Sequence, residues 1–254
     1  MKLIAVIGVV GGAGATTTVA HLAGALSLQK RHALSFDFCP TNFLRLHFGM
    51  SWADNGGFAA SLMQGEDWHA AAYHSAGGLC FVPFGTLENE AALERLTERL
   101  NASPQWLKSE LAAIQTDDDT IVVCDCPLAP GALRDQVLAA ADLVLLICRP
   151  DTLGYAEATR IARAAQTEHA PATMIVLNGF DPSRRLDRDI AVLLRTQYKQ
   201  FFAPVIVHRD EAVREAIACK QMVFEFAPAS QAAYDFSALA TWTLARLGQQ
   251  EERS

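Results

Sequence analysis

Residues 8–18 read G-V-V-G-G-A-G-A-T-T-T and follow directly on the apolar run 3–7. Gly11, Gly12 and Gly14 put no Cβ between the backbone and an approaching anion, so N–H groups of this stretch, Ala13 included, can converge on phosphate oxygens. A helix starting near Thr16 adds the positive end of its dipole. Phosphate loops normally carry a lysine after the last glycine, reaching the β- and γ-phosphates, and next to it a hydroxyl that binds Mg²⁺. Here Ala15 stands in the lysine position and Thr16 in the hydroxyl position. The chemistry that remains is nucleotide binding through backbone donors, with Thr16 as Mg²⁺ ligand and Thr17 on the α-phosphate. The plainer alternative is a tight βα turn that needs small residues, with Thr16 merely capping its helix.

Two acids stand at matching places downstream. The run 33–38 leads into D-F-C-P, placing Asp37 at the C-terminal edge of a strand, where open α/β sheets assemble their ligand sites. The run 120–124 leads into D-C-P and places Asp125 at the same edge. Mg²⁺ keeps several waters and takes few direct carboxylates, so Asp37 and Asp125 are expected to reach it through water. Cys39 cannot act as a base in the carboxylate manner, because its thiol is mostly neutral near pH 7 and no Lys or Arg adjoins it in sequence. No residue is assigned a catalytic role.

A phosphate loop, an acid ending the second strand and a D-x-P ending a later one follow the order of the MinD/ParA superfamily of ATPases, which this chain resembles over nearly its whole length. That superfamily's loop reads K-G-G-x-G-K-T-T; Val10 and Ala15 replace its two lysines, and Cys39 replaces the water-activating aspartate of its D-x-D-P. The resemblance implies that Asn178, ending I-V-L-N, reads adenine, although from sequence alone it could equally be a turn asparagine before Gly179. It also implies that Arg209 and Asp210, in V-H-R-D-E-A, line the other side of the base, with His208 where relatives often have proline.

Within the superfamily the chain is most similar to the BcsQ family, encoded with bacterial cellulose synthase. The matching features are D-x-C-P, the lysine-poor loop, F-L-R-L-H-F, the D-W at Asp67 and Trp68, P-F-G and H-R-D-E-A. This resemblance implies ATP and Mg²⁺ as cofactors and a homodimer pairing through its nucleotide faces. It further implies small cellulose-operon accessory proteins and the cellulose synthase complex as partners, at the inner membrane. The preferred reading is a nucleotide-holding scaffold for cellulose secretion that hydrolyses ATP very slowly. Two alternatives stay open: a cycling ATPase, placing machinery at a pole or membrane site, that borrows a basic group from Arg209 or a partner chain, and a regulatory subunit that has lost nucleotide. Retention of Thr16, Asp37 and Asp125 argues against the second.

The elements that must position these residues alternate along the chain. Strands are expected near 3–8, 33–37, 79–82, 120–125, 143–148, 173–178 and 204–207. Helices are expected near 16–30, 58–65, 88–100, 103–115, 131–140, 153–168, 185–199, 210–219 and 231–247, with Ser103 capping and Pro104 in the first turn of the fourth. Continuous apolar strands alternating with helices predict an α/β, P-loop NTPase-like fold, a mostly parallel twisted sheet with helices on both faces. A chain of 254 residues that is 51% hydrophobic fits one domain, 1–254. The least regular stretch, 40–78, is expected to offer surface loops and short helices to a partner.

With 21 basic against 28 acidic residues the net charge is −7, which argues against binding nucleic acid through phosphate neutralisation. The apolar run near the N-terminus is read as a strand feeding the loop rather than a secretory signal, and no run approaches the roughly 20 apolar residues of a membrane span. A cytoplasmic protein that meets the membrane only indirectly is expected. The six cysteines form no C-x-x-C pair, and Cys124 and Cys126 should face opposite sides of a strand, so small buried residues are expected rather than a metal clamp. His21, His32 and His169 are expected as core or surface residues, and the last helix as one docked on the core with a frayed end.

Overall fold

The apolar runs of the sequence become eight strands of one sheet, in the order β3-β4-β2-β5-β1-β6-β7-β8. The computed structural model describes residues 1–75, 77–114, 116, 119–164 and 171–251. The strands are β1 Lys2–Gly8, β2 Ala33–Asp37, β3 Tyr73–His74, β4 Cys80–Val82, β5 Ile121–Asp125, β6 Leu143–Cys148, β7 Ala172–Phe180 and β8 Phe202–His208. Between them run α1 Ala15–Leu28, α2 Phe58–Gln64, α3 Glu90–Ala102, α4 Trp106–Ala113, α5 Ala132–Ala140, α6 Thr152–Ala164 and α7 Arg185–Gln197. After β8 come α8 Glu211–Ala218, the short α9 Val223–Phe226 and α10 Gln231–Glu251. The sheet is parallel apart from β3, which pairs antiparallel with β4.

Two cores flank the sheet because successive strand residues point to opposite faces. Leu3, Ala5 and Ile7 of β1 join the layer of α2 to α7, whereas Ile4 and Val6 join the layer of α1, α9 and α10. Helix α1 is apolar around most of its circumference, which suits its burial between the sheet and α10. Strand order reverses around β1, which lies between β5 and β6, and ligand crevices of doubly wound sheets form at such a switch point.

Three expectations are corrected. The fourth helix begins at Trp106, not 103, because Trp106 N–H closes a turn on Ser103 carbonyl at 2.9 Å, with Pro104 at the turn position that its fixed φ suits. Within 40–78 the chain adds the edge strand β3, too short for any periodicity to reveal, and it buries Trp68 rather than presenting it. Trp68 stacks on Phe36 at 5.4 Å and its indole N–H donates to Glu110 at 2.8 Å. The segment after α8 folds into α9. The expected helix 153–168 is described to Ala164; its end, with His169, lies outside the described residues, as does residue 115 of the expected 103–115 helix.

Gln136 of α5 joins three elements from within the core: its Oε1 accepts Leu107 N–H at 3.0 Å, and its Nε2 donates to the carbonyls of Leu100 and Ser103 at 2.9 and 2.7 Å. Gln136→Leu leaves the Leu107 N–H unpaired at a buried helix start. It should lower the unfolding free energy by about 1–3 kcal/mol in urea titration, with the slope unchanged.

Candidate functional site

Glycine sets the loop geometry at two places. Gly12 and Gly14 hold φ of 73° and 91°, a left-handed backbone that L side chains rarely adopt. Ala13 N–H turns back to Val10 carbonyl at 3.2 Å, and Gly14 caps α1. The first helical bond runs from Thr18 N–H to Gly14 carbonyl at 2.9 Å, so the N–H groups of Ala15, Thr16 and Thr17 precede it and have no partner within the helix. All three residues line a cleft of about 670 Å³, together with Gly11, Gly12, Ala13 and Gly14. Cys39 and Asp125 form its polar wall, while Phe43, Leu46, Leu128 and Ile217 form an apolar one.

The two acids lie side by side. Asp37 and Asp125 are register partners on β2 and β5, 0% and 1% exposed. Asp37 accepts the N–H groups of Cys39 and Leu44 at 2.9 and 3.2 Å; Asp125 accepts the Thr16 hydroxyl at 2.6 Å. Oxygens of both acids and the sulfur of Cys39 lie within 4.8 Å of one another. Burial, then repulsion from Asp125, pushes Asp37 well above the usual carboxylate range. Burial also raises Asp125, to about 6, against the lowering by its Thr16 bond. The Cys39 thiol is driven far up by burial and by the two acids, which keeps it protonated.

Of the residues singled out in the sequence, the loop, Thr16, Thr17, Asp37 and Asp125 come together. Asn178 does so in an unexpected way: its side-chain N–H donates to Ala13 carbonyl at 2.7 Å, bracing the loop. A Cβ on Gly14 would run into that amide. Asp210 is occupied by capping, one oxygen accepting Ala212 N–H and the other Ala232 N–H, both at 3.0 Å. Arg209 is exposed, and its N–H donates to Phe180 carbonyl at 2.8 Å.

Two histidines were not recognised as parts of this region. His21 accepts Val223 N–H on Nε2 at 3.1 Å, so its Nδ1 carries the proton and donates to Thr17 carbonyl at 2.8 Å. His47, 3% exposed, lines the cleft, and its Nδ1 has no hydrogen-bond partner. Burial lowers them to about 4 and about 3, so both are neutral. His21 could have been found from its place one helical turn after Thr17; nothing local in sequence marks His47.

Residues 1–244 match the family described as cellulose biosynthesis protein BcsQ. The chain belongs to the BcsQ family. A curated relative, cellulose biosynthesis protein BcsQ of Salmonella typhimurium strain LT2, is 30% identical over 250 residues, covering 96% of this chain and 94% of that protein. Among solved structures, this BcsQ-family chain is similar to the Pyrococcus furiosus cell division ATPase MinD, with a TM-score of 0.77 at 20% identity over 96% of this chain and 98% of the other. It is also similar to the septum site-determining protein MinD from Pyrococcus horikoshii complexed with Mg-ADP, with a TM-score of 0.73 at 18% identity over 94% of each chain. The fold is that of MinD/ParA-type P-loop NTPases.

The buried acids have a thermodynamic consequence. A carboxyl whose folded pKa is raised binds more protons folded than unfolded, so its contribution falls as pH rises from about 4 to 6. His21 and His47, lowered by burial, contribute in the opposite sense over nearly the same window, so the parent profile alone is uninformative. For Asp125, moving from 3.8 to about 6 corresponds to about 3 kcal/mol. Asp125→Asn should therefore gain stability relative to the nucleotide-free parent by up to that amount between pH 4 and 7. Denaturant unfolding at both ends of the range measures it; a constant difference would exclude the assigned pKa.

Proposed function

We propose that this chain is a nucleotide-binding, hydrolysis-poor accessory protein of cellulose biosynthesis and secretion, paired by ATP and Mg²⁺ into a dimeric scaffold at the inner-membrane synthase. The observation that carries the reading is the division within the site. The backbone cradle, Thr16 and both acids are assembled, while Val10, Ala15 and Cys39 stand where the MinD/ParA pattern has two lysines and an aspartate. The donor set fits the nucleotide: N–H groups of Gly11, Gly12, Gly14 and Ala15 for phosphates, beside Ala13, whose N–H closes the loop on Val10 carbonyl, with Thr16 for the metal and Thr17 for the α-phosphate. Asp37 and Asp125 would act through metal-bound water, and Asn178, Arg209 and Asp210 on the base side. A MinD neighbour complexed with Mg-ADP supports this reading.

Groups aimed at charge developing on the transferred phosphoryl supply much of the rate in such enzymes. With three replaced, bound ATP serves as a structural ligand. Calorimetry should show Mg-ATP binding that weakens at least about tenfold in Thr16→Ala, a loss of at least about 1.4 kcal/mol. Phosphate release by the parent should lie at least about 10²-fold below that of the Val10→Lys, Ala15→Lys, Cys39→Asp variant, since one such group alone is worth that much. A parent as fast as that variant would instead indicate a cycling ATPase.

Recruitment to the membrane is assigned to partners, small cellulose-operon proteins and the synthase complex. Among the described residues no helix is long and apolar enough to cross a membrane. Nor does α10 keep a free apolar face, since Phe236, Leu239, Ala240 and Leu247 are spent on the core. Pairing is assigned to the cleft face, where Phe43 is 49% exposed and a Cβ on Gly11 would meet nothing within 4 Å. Gly11→Val should leave the monomer folded and block nucleotide-dependent dimerisation. Light scattering with and without ATP checks it; Gly12 is less suitable, because its φ of 73° would strain the loop itself.

A further inference from the structure

Helix α7 carries apolar residues on two sides, and the core takes only one of them. Ile190, Ala191 and Leu194 are buried, with Asp187 turned inward to accept Asp181 N–H at 2.9 Å. Away from the core, Leu186 is 51%, Val192 64% and Leu193 40% exposed. Leu186 and Leu193 stand seven residues apart, about two helical turns, so they fall on one line along the surface, with Val192 beside Leu193. Exposed apolar side chains scattered singly need no explanation, but three on the outer face of one 13-residue helix form a patch.

Basic residues rim that patch. Arg188 and Arg195, likewise seven apart, form a parallel row at the other edge of the exposed arc. The stretch 184–199 holds Arg184, Arg185, Arg188, Arg195 and Lys199, all exposed, against Asp187 and Asp189, an excess of three positive charges in a chain whose net charge is −7. Arg185 pairs with Asp189 at 3.7 Å, but both side chains are more than half exposed, and such pairs hold their partners weakly. Arg188 donates to Pro182 carbonyl at 2.6 Å, a partner that supplies no counter-charge. What covers this face must therefore be acidic as well as apolar. A second copy of the chain is a poor match, since two-fold pairing would set the arginines against themselves. A bilayer is a poor match too: the broad apolar side of α7 is taken up by the core, and Asp189, 61% exposed, stands beside the Leu186–Leu193 line that would have to enter lipid. A helix laid along α7 meets such a patch side chain by side chain.

We propose that the outer face of α7 docks an acidic amphipathic helix of a partner protein, with apolar side chains over Leu186, Val192 and Leu193 and carboxylates beside Arg185 and Arg188. This deepens the partner reading given above and rests on it. A helix of 13 residues is about 20 Å long, too short a strip to bury the roughly 800 Å² per side of a standard interface. The contact is therefore weak and salt-sensitive, one of several that hold the partner. None of the residues lining the phosphate cleft belongs to α7, so docking and nucleotide binding are compatible.

The experiment places the photocrosslinker p-benzoylphenylalanine at Val192 of the full chain, in the cells that encode it, and sequences the crosslinked peptide. A second placement at Thr196, also exposed, guards against damage by the first. The expected product is a protein segment with an excess of acidic residues and with apolar residues at helical spacing. Its yield should fall by at least about tenfold in the double variant Leu186→Ser, Leu193→Ser and in the double variant Arg185→Glu, Arg188→Glu, the scale on which apolar anchors and charge reversals act in interfaces. Circular dichroism checks that both variants fold. Products that are only lipid, only a second copy of this chain or only a segment without acidic excess overturn the proposal, as does a yield that neither variant lowers or no product from either placement. A qualifying segment from a protein unconnected with cellulose sustains the docking face and sinks the cellulose partner reading. Cellulose-operon proteins that still co-isolate with both variants, without a qualifying crosslink, do the opposite.

Discussion

The hydrogen bond from Thr16 to Asp125, 2.6 Å long, closes the site on itself. It ties the first turn of α1 to the end of β5, and through the strand register to Asp37 on β2. The loop is braced on its other side by Asn178 from β7. Three strand ends thus converge on one helix start, which happens in a doubly wound sheet only where strand order reverses. A slip of one residue in β5 would turn Asp125 to the other face, so the register that pairs β5 with β1 and β2 also fixes the chemistry.

Electrostatically the site is lopsided. A helix N-terminus contributes roughly half an elementary charge, and no loop lysine adds to it. Facing it are two buried carboxylates, whose raised affinity for protons expresses an unmet demand for positive charge. On the proposed reading a metal would supply that positive charge, since Ala15 stands in the position of the loop lysine. Binding and turnover therefore separate. On the proposed reading, backbone donors and a cation hold the phosphates, while Val10, Ala15 and Cys39 stand where groups that follow charge during phosphoryl transfer would be.

Most of this frame was legible in the chain itself. Strands buried on both faces read as uninterrupted apolar runs, so β1, β5, β6 and β7 announced themselves, and the loop glycines announced the turn after β1. Hidden were features whose partners are remote in sequence. The strand β3 is two residues long and exists only by pairing with β4. The capping role of Asp210 is hidden too, since its oxygens accept Ala212 N–H and Ala232 N–H, the second of them 22 residues away. The mate of His21 lies 202 residues on, and Pro104 reads as helical because a first-turn proline and a turn proline share the same φ.

The remote contacts also explain why the loop can be rigid without a ligand. Helix α1 is clamped along its length: Gly14 carbonyl takes both the N–H and the hydroxyl of Thr18, at 2.9 and 2.8 Å. One turn further, His21 bridges Thr17 carbonyl to Val223 of α9, stacked on Phe236 of α10 at 4.7 Å. At its far end Gln29 donates to Ser237 carbonyl and Thr241 hydroxyl of α10, at 3.1 and 3.0 Å. Each clamp removes freedom that a bound phosphate would otherwise have to remove, so on the proposed reading preorganisation partly offsets the affinity that a lysine would have added. Packing α10 against α1 therefore supports the helix that carries the loop. Using the same apolar face of α10 to insert into a membrane would strip that support from the helix that carries the loop.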